Sequence, residues 1–170
     1  MSGTVTIEPL ATADFPMVAQ WLSEPQTNQW LSSDWRGRTV DPTLIGVAMR
    51  NRKNRFYLVR CDGHACGLVA LADLDLTDGI AMIWYVLGNK NVQARGITTS
   101  AVRQLIHSAF NEMQLESVHA WVMEDNTASA RVLEKAGFRE AGRLRSAASH
   151  NGRRVDRIYF DKTRLDVDPP

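Results

Sequence analysis

Two short apolar runs separated by one amphipathic stretch constrain this 170-residue chain more than any other feature. IAMIWYVL (80–87) and SVHAWVME (117–124) have the length of single strands. Between them Ile97, Ala101, Leu105 and Ala109 recur at helical spacing, and Val102, Ile106 and Phe110 widen the stripe. The spacing predicts a helix over 98–113. A strand, a long helix and a second strand in one sheet form a crossover, so the two strands should lie parallel. SVHAWVME is apolar on both faces, as a strand inside a covered sheet must be.

The rest of the chain arranges itself around that unit. RFYLVRC (55–61), an Asp62-Gly63 turn and CGLVALADLDL (66–76) predict a hairpin, with Cys61 facing His64 and Cys66 facing Val59. Asp78-Gly79 then turns the chain into the 80–87 strand, which gives three antiparallel strands in succession. VTIEPL (5–10) reads as a first strand, and Thr12 as the cap of a helix through Trp21. Residues 23–40 read as irregular, and Asp41-Pro42 opens a helix, TLIGVAMRNRK. Beyond 124, Asp125-Asn126 starts a short helix, TASARVLEKA, that Gly137 stops. FREAGRLRSAA and RRVDRIYFDKT flank a His150-Asn151-Gly152 hairpin signal, and a frayed tail is expected over 163–170. The expectation is one α+β domain over 1–170. A mixed central sheet of about seven strands would hold the β-α-β crossover, with about four helices on its faces.

Charge and composition exclude several functions. Twenty basic and nineteen acidic side chains leave a formal charge of +1, so no bulk field draws the chain to nucleic acid or an anionic membrane. RNRKNR (50–55) reads as a solvated helix end. No run approaches the roughly 20 apolar residues of a membrane span, and MSGTVTIEPL lacks the blocks of a signal peptide. A cytoplasmic location is the default expectation. Cys61 and Cys66 should be diagonal neighbours, too far apart for an unstrained disulfide, and free thiols suit a reducing compartment. No second ligand pair stands at a metal-binding spacing.

Two segments carry candidate chemistry. VQARGITTSA (92–101) lies between the 80–87 strand and the long helix. A glycine there lets backbone approach a ligand closely. The first amides of the helix lack partners and carry partial positive charge, so they can hold a pyrophosphate. Arg95 adds a charge, and Thr98 or Thr99 adds a hydroxyl. Taken alone, the glycine also fits a plain turn. EDNTASARVLEKAGF (124–138) sets Asn126, Ser129, Lys135, Gly137 and Phe138 in fixed register behind the buried strand. Each has an ordinary local role too: an N-cap, a solvated serine, a C-cap.

Together the segments resemble Gcn5-related N-acetyltransferases, the GNAT superfamily. Gln93 to Ala101, Q-x-R-G-I-x-T-x-A, is similar to the family's acetyl-CoA pyrophosphate signature, and Asn126 to Phe138 is similar to its second signature. The order of elements is similar to the family fold across nearly the whole chain. YVLGNKNVQARG and the Asn151-Gly152…Asp156 hairpin look most like the branch that acetylates ribosomal protein N-termini, polyamines and amino sugars. The resemblance implies acetyl-CoA as cosubstrate and direct attack by a primary amine in a ternary complex. The acceptor would be an amino sugar, another small amine or a protein N-terminus. Backbone groups of Val86, Leu87 and Gly88 would pair with the pantetheine arm, near a bulge where the parallel strands splay. Amides from Gln93, Ala94, Arg95, Gly96, Ile97 and Thr98 would hold the pyrophosphate. Asn126 would contact the pantetheine, and Ser129 would lie near the thiol. Arg131 or Lys135 would reach the 3′-phosphate, with a solvated helix face as the alternative. Thr98 departs from the family pattern, which has Gly or Ala there.

The same resemblance frames the catalytic question. The amine must lose a proton, since only about one part in a thousand is neutral at pH 7. An N–H at Val86 or Leu87 would face the oxyanion. Many relatives use a tyrosine four residues after the serine; here Leu133 stands there, and Ser129 is the nearest substitute. A carboxylate usually stands at the position of Met82. The remaining candidate bases are Asp73, Asp75, His119 and Glu124, or a water chain. His119 alternates with Trp121 and Met123, so a core histidine is the competing reading. Ser129, Asn126 and His119 are the catalytic candidates. Trp30, Trp35, Met82 and Trp84 would line the acceptor pocket, with core packing the alternative for the first two. Met82 and Leu133 also keep a catalytically silent acyl-CoA sensor as the rival function. Subunit pairing is frequent in the family, so a homodimer is a further expectation from the resemblance.

Overall fold

The computed structural model describes residues 3–93 and 95–166. Seven strands form one mixed sheet: β1 (Val5–Pro9), β2 (Arg55–Cys61), β3 (His64–Asp75), β4 (Ile80–Leu87), β5 (Ser117–Met123), β6 (Arg139–His150) and β7 (Arg153–Thr163). Their order across the sheet is β1-β2-β3-β4-β5-β7-β6. The helices are α1 (Phe15–Ser23), α2 (Pro25–Asn28), α3 (Pro42–Arg50), α4 (Ile97–Asn111) and α5 (Thr127–Lys135). The expected crossover is present: β4 and β5, joined through α4, are the one parallel pair, and the other neighbours are antiparallel.

Side-chain alternation divides the core between the two faces. Ala81 and Ile83 of β4 face α4, where they meet Ala101, Leu105 and Phe110. Val86 and Trp84 face α1 and α3, where Val18, Leu22 and Ile45 pack on Leu58 and Leu68. Leu105 is fully buried, so truncating it to alanine would cost about 2–5 kcal/mol.

Three features differ from the expectation. First, the segment over 23–40 contains α2, opened by Pro25 and held by buried Asn28. The Asn28 side-chain amide donates to Leu22 O and Trp35 O, both at 2.9 Å, and accepts from Gly37 N at 2.7 Å. Four residues are too few to show a helical period, so only these tertiary bonds define it. Second, Thr12 opens a 3-10 turn (Thr12–Asp14), and α1 begins after Asp14. Third, Cys61 faces His64 as expected, but Val59 faces Gly67 rather than Cys66. A bulge at Val59/Arg60 inserts one residue and shifts the register. Both thiols are free and buried, and burial pushes the Cys66 thiol up to about 11.

The expected tail is ordered through Asp166, whose Oδ2 accepts from the Thr163 amide and hydroxyl at 2.9 Å; residues 167–170 lie outside the described residues. Among the described residues no helix is long and apolar enough to cross a membrane.

One irregularity opens the sheet near its centre. β4 and β5 pair only at Ile80↔Ser117, Ala81↔Val118 and Met82↔His119. Beyond Met82 the strands part, and the gap between them opens toward α4 and α5.

Candidate active site

A cleft of about 970 Å³ runs through that gap. Its floor is the free edge of β4. The Gly88 amide donates to Cys66 O of β3 at 2.8 Å. Strand amides alternate direction, so the Val86 amide also faces β3, and the Leu87 amide faces the gap. Of the three backbone positions expected to meet a pantetheine arm, Leu87 alone has its N–H turned toward the cleft. The Leu87 carbonyl on that edge accepts from Lys90 Nζ at 2.7 Å, and the same ammonium donates to Thr27 Oγ1 at 3.0 Å. Lys90 thereby pins the end of β4 to α2. Gly88 answers to packing as well: a Cβ there would lie 2.0 Å from the Trp21 ring. The bulge expected beside 86–88 lies instead on β3, between Ala72 and Asp75, level with the point where β4 and β5 part.

The N-terminus of α4 forms one wall. Gly96 is its N-cap at φ +73°, a left-handed conformation that a side chain would strain. No side chain caps this helix, and a Cβ on Gly96 would meet nothing within 4 Å. Its leading amides therefore face open space with their partial charge intact. Arg95, Gly96, Ile97, Thr98 and Gln93 all line the cleft; Ala94 of the same motif lies outside the described residues.

Helix α5 forms the opposite wall. Asn126 caps it, accepting from the Ser129 amide through Oδ1 at 3.2 Å. Asn126 and Ser129 line the cleft beside Arg131 and Lys135. Leu133 is fully buried and offers no proton. The hydroxyl of Tyr85, from β4, lies 2.9 Å from both the carbonyl and the Oγ of Ser129.

Charge is unevenly distributed. Arg95, Arg131 and Lys135 line the end between α4 and α5, Lys90 sits by α2, and the lip loop and β3 bring Arg38 with the lining carboxylates Asp34 and Asp73. The α4–α5 end suits an anion.

The four candidate bases fall in different places. Glu124 accepts from the Asp156 amide at 2.9 Å and from Arg143 at 3.2 Å, so it braces β7 and β6. Asp75 caps the turn into β4 through the Thr77 and Asp78 amides, and those bonds hold its carboxyl below the usual range. Asp73 lines the cleft at φ +52°, held in the β3 bulge that turns it there. His119 is half-buried beside Met82. Burial holds its imidazole below the usual range, against the opposing pull of Asp73 and Asp161.

Of the two lip tryptophans, Trp35 is a core residue. It packs on Phe56 and Trp84 at ring separations of 6.5 and 5.9 Å, with one edge on the cleft. Trp30 sits on the rim and packs at a tilt against His150, with ring centres 4.4 Å apart. That imidazole bridges Asp125 Oδ2 at 3.0 Å and Gln29 Oε1 at 3.2 Å. Met82 and Trp84 both line the cleft.

Tyr85 and Lys90 were not among the sequence candidates. Tyr85 had a usable signal, because alternation with Ile83 puts a hydroxyl on an apolar face, where it needs a partner. Nothing in the sequence names Ser129 as that partner.

Known proteins are similar to this chain. Residues 4–139 match the acetyltransferase (GNAT) domain family. YdaF of Bacillus subtilis, which carries the name of a ribosomal N-acetyltransferase, is 36% identical over 127 residues. That match takes in 75% of this chain and 63% of YdaF, so the chain spans less than two thirds of that relative. Aminoglycoside N(6′)-acetyltransferase type 1 of Klebsiella pneumoniae is 26% identical over 156 residues, 82% of this chain and 76% of that one. Among solved structures, spermidine N-acetyltransferase of Vibrio cholerae in complex with CoA and spermine superposes with a TM-score of 0.84. It covers 95% of this chain and 96% of its own, and at 17% identity the likeness is one of fold.

Proposed function

Because the chain belongs to the GNAT acetyltransferase family, we propose that it transfers an acetyl group from acetyl-CoA to a primary amine. One observation carries this reading: the open edge of β4 and the uncapped N-terminus of α4 converge on a single cleft. The residues fit the ligand, since the open space before Gly96 and the cationic side chains of Arg95, Arg131 and Lys135 suit its phosphates. When bound, acetyl-CoA supplies an acetyl thioester as the electrophile and a phosphate-bearing handle.

The chain's own groups divide the remaining work. Amides from Gly96 to Thr98 hold the pyrophosphate, with Arg95 adding charge. The Leu87 amide, turned into the gap, donates to the carbonyl oxygen as negative charge builds there. Asn126 hydrogen-bonds the pantetheine arm, and the Ser129 hydroxyl lies toward the leaving sulfur. Asp34 and Asp73 draw the acceptor in as an ammonium, against the rim tryptophan Trp30.

His119 then takes the proton. Ala72, Met82, His119 and Asp161 stand opposite one another across β3, β4, β5 and β7, which puts them in one row on the acceptor face. Met82 accepts no proton; its neighbour His119 is kept neutral by burial near pH 7 and can.

The test is release of free thiol from acetyl-CoA over a panel of a polyamine, an aminoglycoside and peptides with free N-termini. Thiol release with any of them, with the acetylated amine seen by mass spectrometry, is the expected result. Tight acetyl-CoA binding with no turnover on any amine would replace the reading with an acyl-CoA sensor.

A further inference from the structure

Tyr85 has a role that neither family signature contains. It sits in β4 and reaches across the gap to the first turn of α5, so its hydroxyl joins the floor of the cleft to one wall. There it lies 2.9 Å from two oxygens of one residue, the carbonyl and the Oγ of Ser129. A phenol has one proton, so two arrangements compete. In the first, Tyr85 donates to the carbonyl, and the Ser129 hydroxyl donates back to Tyr85. In the second, Tyr85 donates to Ser129 Oγ, and the serine proton is free to turn into the cleft. Only hydrogens move between the two.

We infer that Tyr85 is a positioning residue that acts through Ser129, holding the serine oxygen as acceptor so that the serine proton meets the departing sulfur. The inference rests on the acetyl-transfer reading. As the nitrogen–carbon bond forms, the carbon–sulfur bond breaks and its electron pair stays on sulfur. The serine hydroxyl hydrogen-bonds that thiolate without losing its proton. Of the two protons the ammonium gives up, one leaves to solvent and the other ends on the thiol. Tyr85 stays neutral throughout: burial raises its phenol pKa, outweighing the opposite effect of the Ser129 bond. Leu133, one turn along α5, has no proton to offer in its place.

A plain structural brace between β4 and α5 would show the same contacts, so the test must separate the two. Steady-state kinetics are measured with acetyl-CoA and with its selenium analogue, whose more acidic selenol leaves with less need of a hydrogen bond. Tyr85→Phe should lower kcat about tenfold with acetyl-CoA, and less than twofold with the selenoester. The dissociation constant for CoA and the melting temperature should barely move. Ser129→Ala should show the same dependence on the leaving atom, and it supplies the decisive arm if Tyr85→Phe folds poorly. Adding Tyr85→Phe to Ser129→Ala should change kcat by less than twofold. Equal losses with sulfur and selenium would make Tyr85 a brace and overturn the inference while leaving acetyl transfer intact. Absence of turnover by the wild-type protein on every amine would overturn both.

Discussion

The two ends of the cleft are made of different material. The end between β4, α4 and α5 is mostly backbone: the Leu87 amide, the leading amides of α4 and the left-handed turn at Gly96. The end under the lip is side chains: Trp30, Trp84, Met82 and Asp73, drawn from three separate segments. Backbone sites depend on chain direction and on where a glycine is allowed, so they change little when side chains are exchanged. Side-chain sites change with every substitution. One fold can thus hold one cosubstrate while its acceptors diverge, as the names of the relatives do.

Substitutions can be ranked against that division. The largest effect should come from Gly96→Val. It adds bulk in the open space before α4 and forces a β-branched residue to φ +73°, a strain of about 1–3 kcal/mol. Affinity for acetyl-CoA should fall by about 100-fold or more in calorimetry, with a modest loss of melting temperature. Unchanged affinity would mean the backbone end is not the phosphate cradle.

His119→Gln should lower kcat by about 10- to 100-fold and leave acetyl-CoA affinity within about twofold. Burial lowers the His119 pKa, so the acid limb of the wild-type rate should lie below pH 6.5, and the variant should lose it. The same shift acts on stability. The unfolded chain takes up this proton more readily, so the contribution of neutral His119 is present above pH 6.5 and is lost as pH falls from there through the lowered folded value. A limb that persists in the variant would remove His119 as the base.

The smallest effect should come from Trp30→Ala, a rim residue. The Michaelis constant for the amine should rise by about 3- to 10-fold, with the constant for acetyl-CoA unchanged. If the acetyl-CoA constant rose equally, the two ends would not be separable.

The same division explains which features were legible in the sequence. The crossover was legible because the hydrophobic period switches from strand to helix and back between residues 80 and 124. The turn into α4 was legible because Gly96 follows a strand and precedes an amphipathic helix. The phase of β4 was not: whether Val86 or Leu87 faces the gap is set by the Gly88–Cys66 bond. The Val59 bulge was equally hidden, since Ala65, Cys66 and Gly67 are too small to fix a register by packing. For Trp35 the lip and core readings both stayed open because its neighbours Phe56 and Trp84 come from distant parts of the chain. The place of Asp73 in the cleft was hidden too, since the β3 bulge, with its positive φ, turns it inward.

The short seam between β4 and β5 bears on how the protein responds to heat and to isotope. In the sheet itself, three ladder pairs join β4 of the β1–β4 block to β5 of the β5–β7 block, with α4 as the covalent strap. A ligand lying along the parted edges becomes a second seam. At 100 times its dissociation constant it would add about 2.7 kcal/mol to the folded state. Hydrogen–deuterium exchange should report where: the Leu87 amide should exchange quickly in the free protein and slow sharply with CoA, while Val86 and Gly88, already bonded to β3, should hardly change.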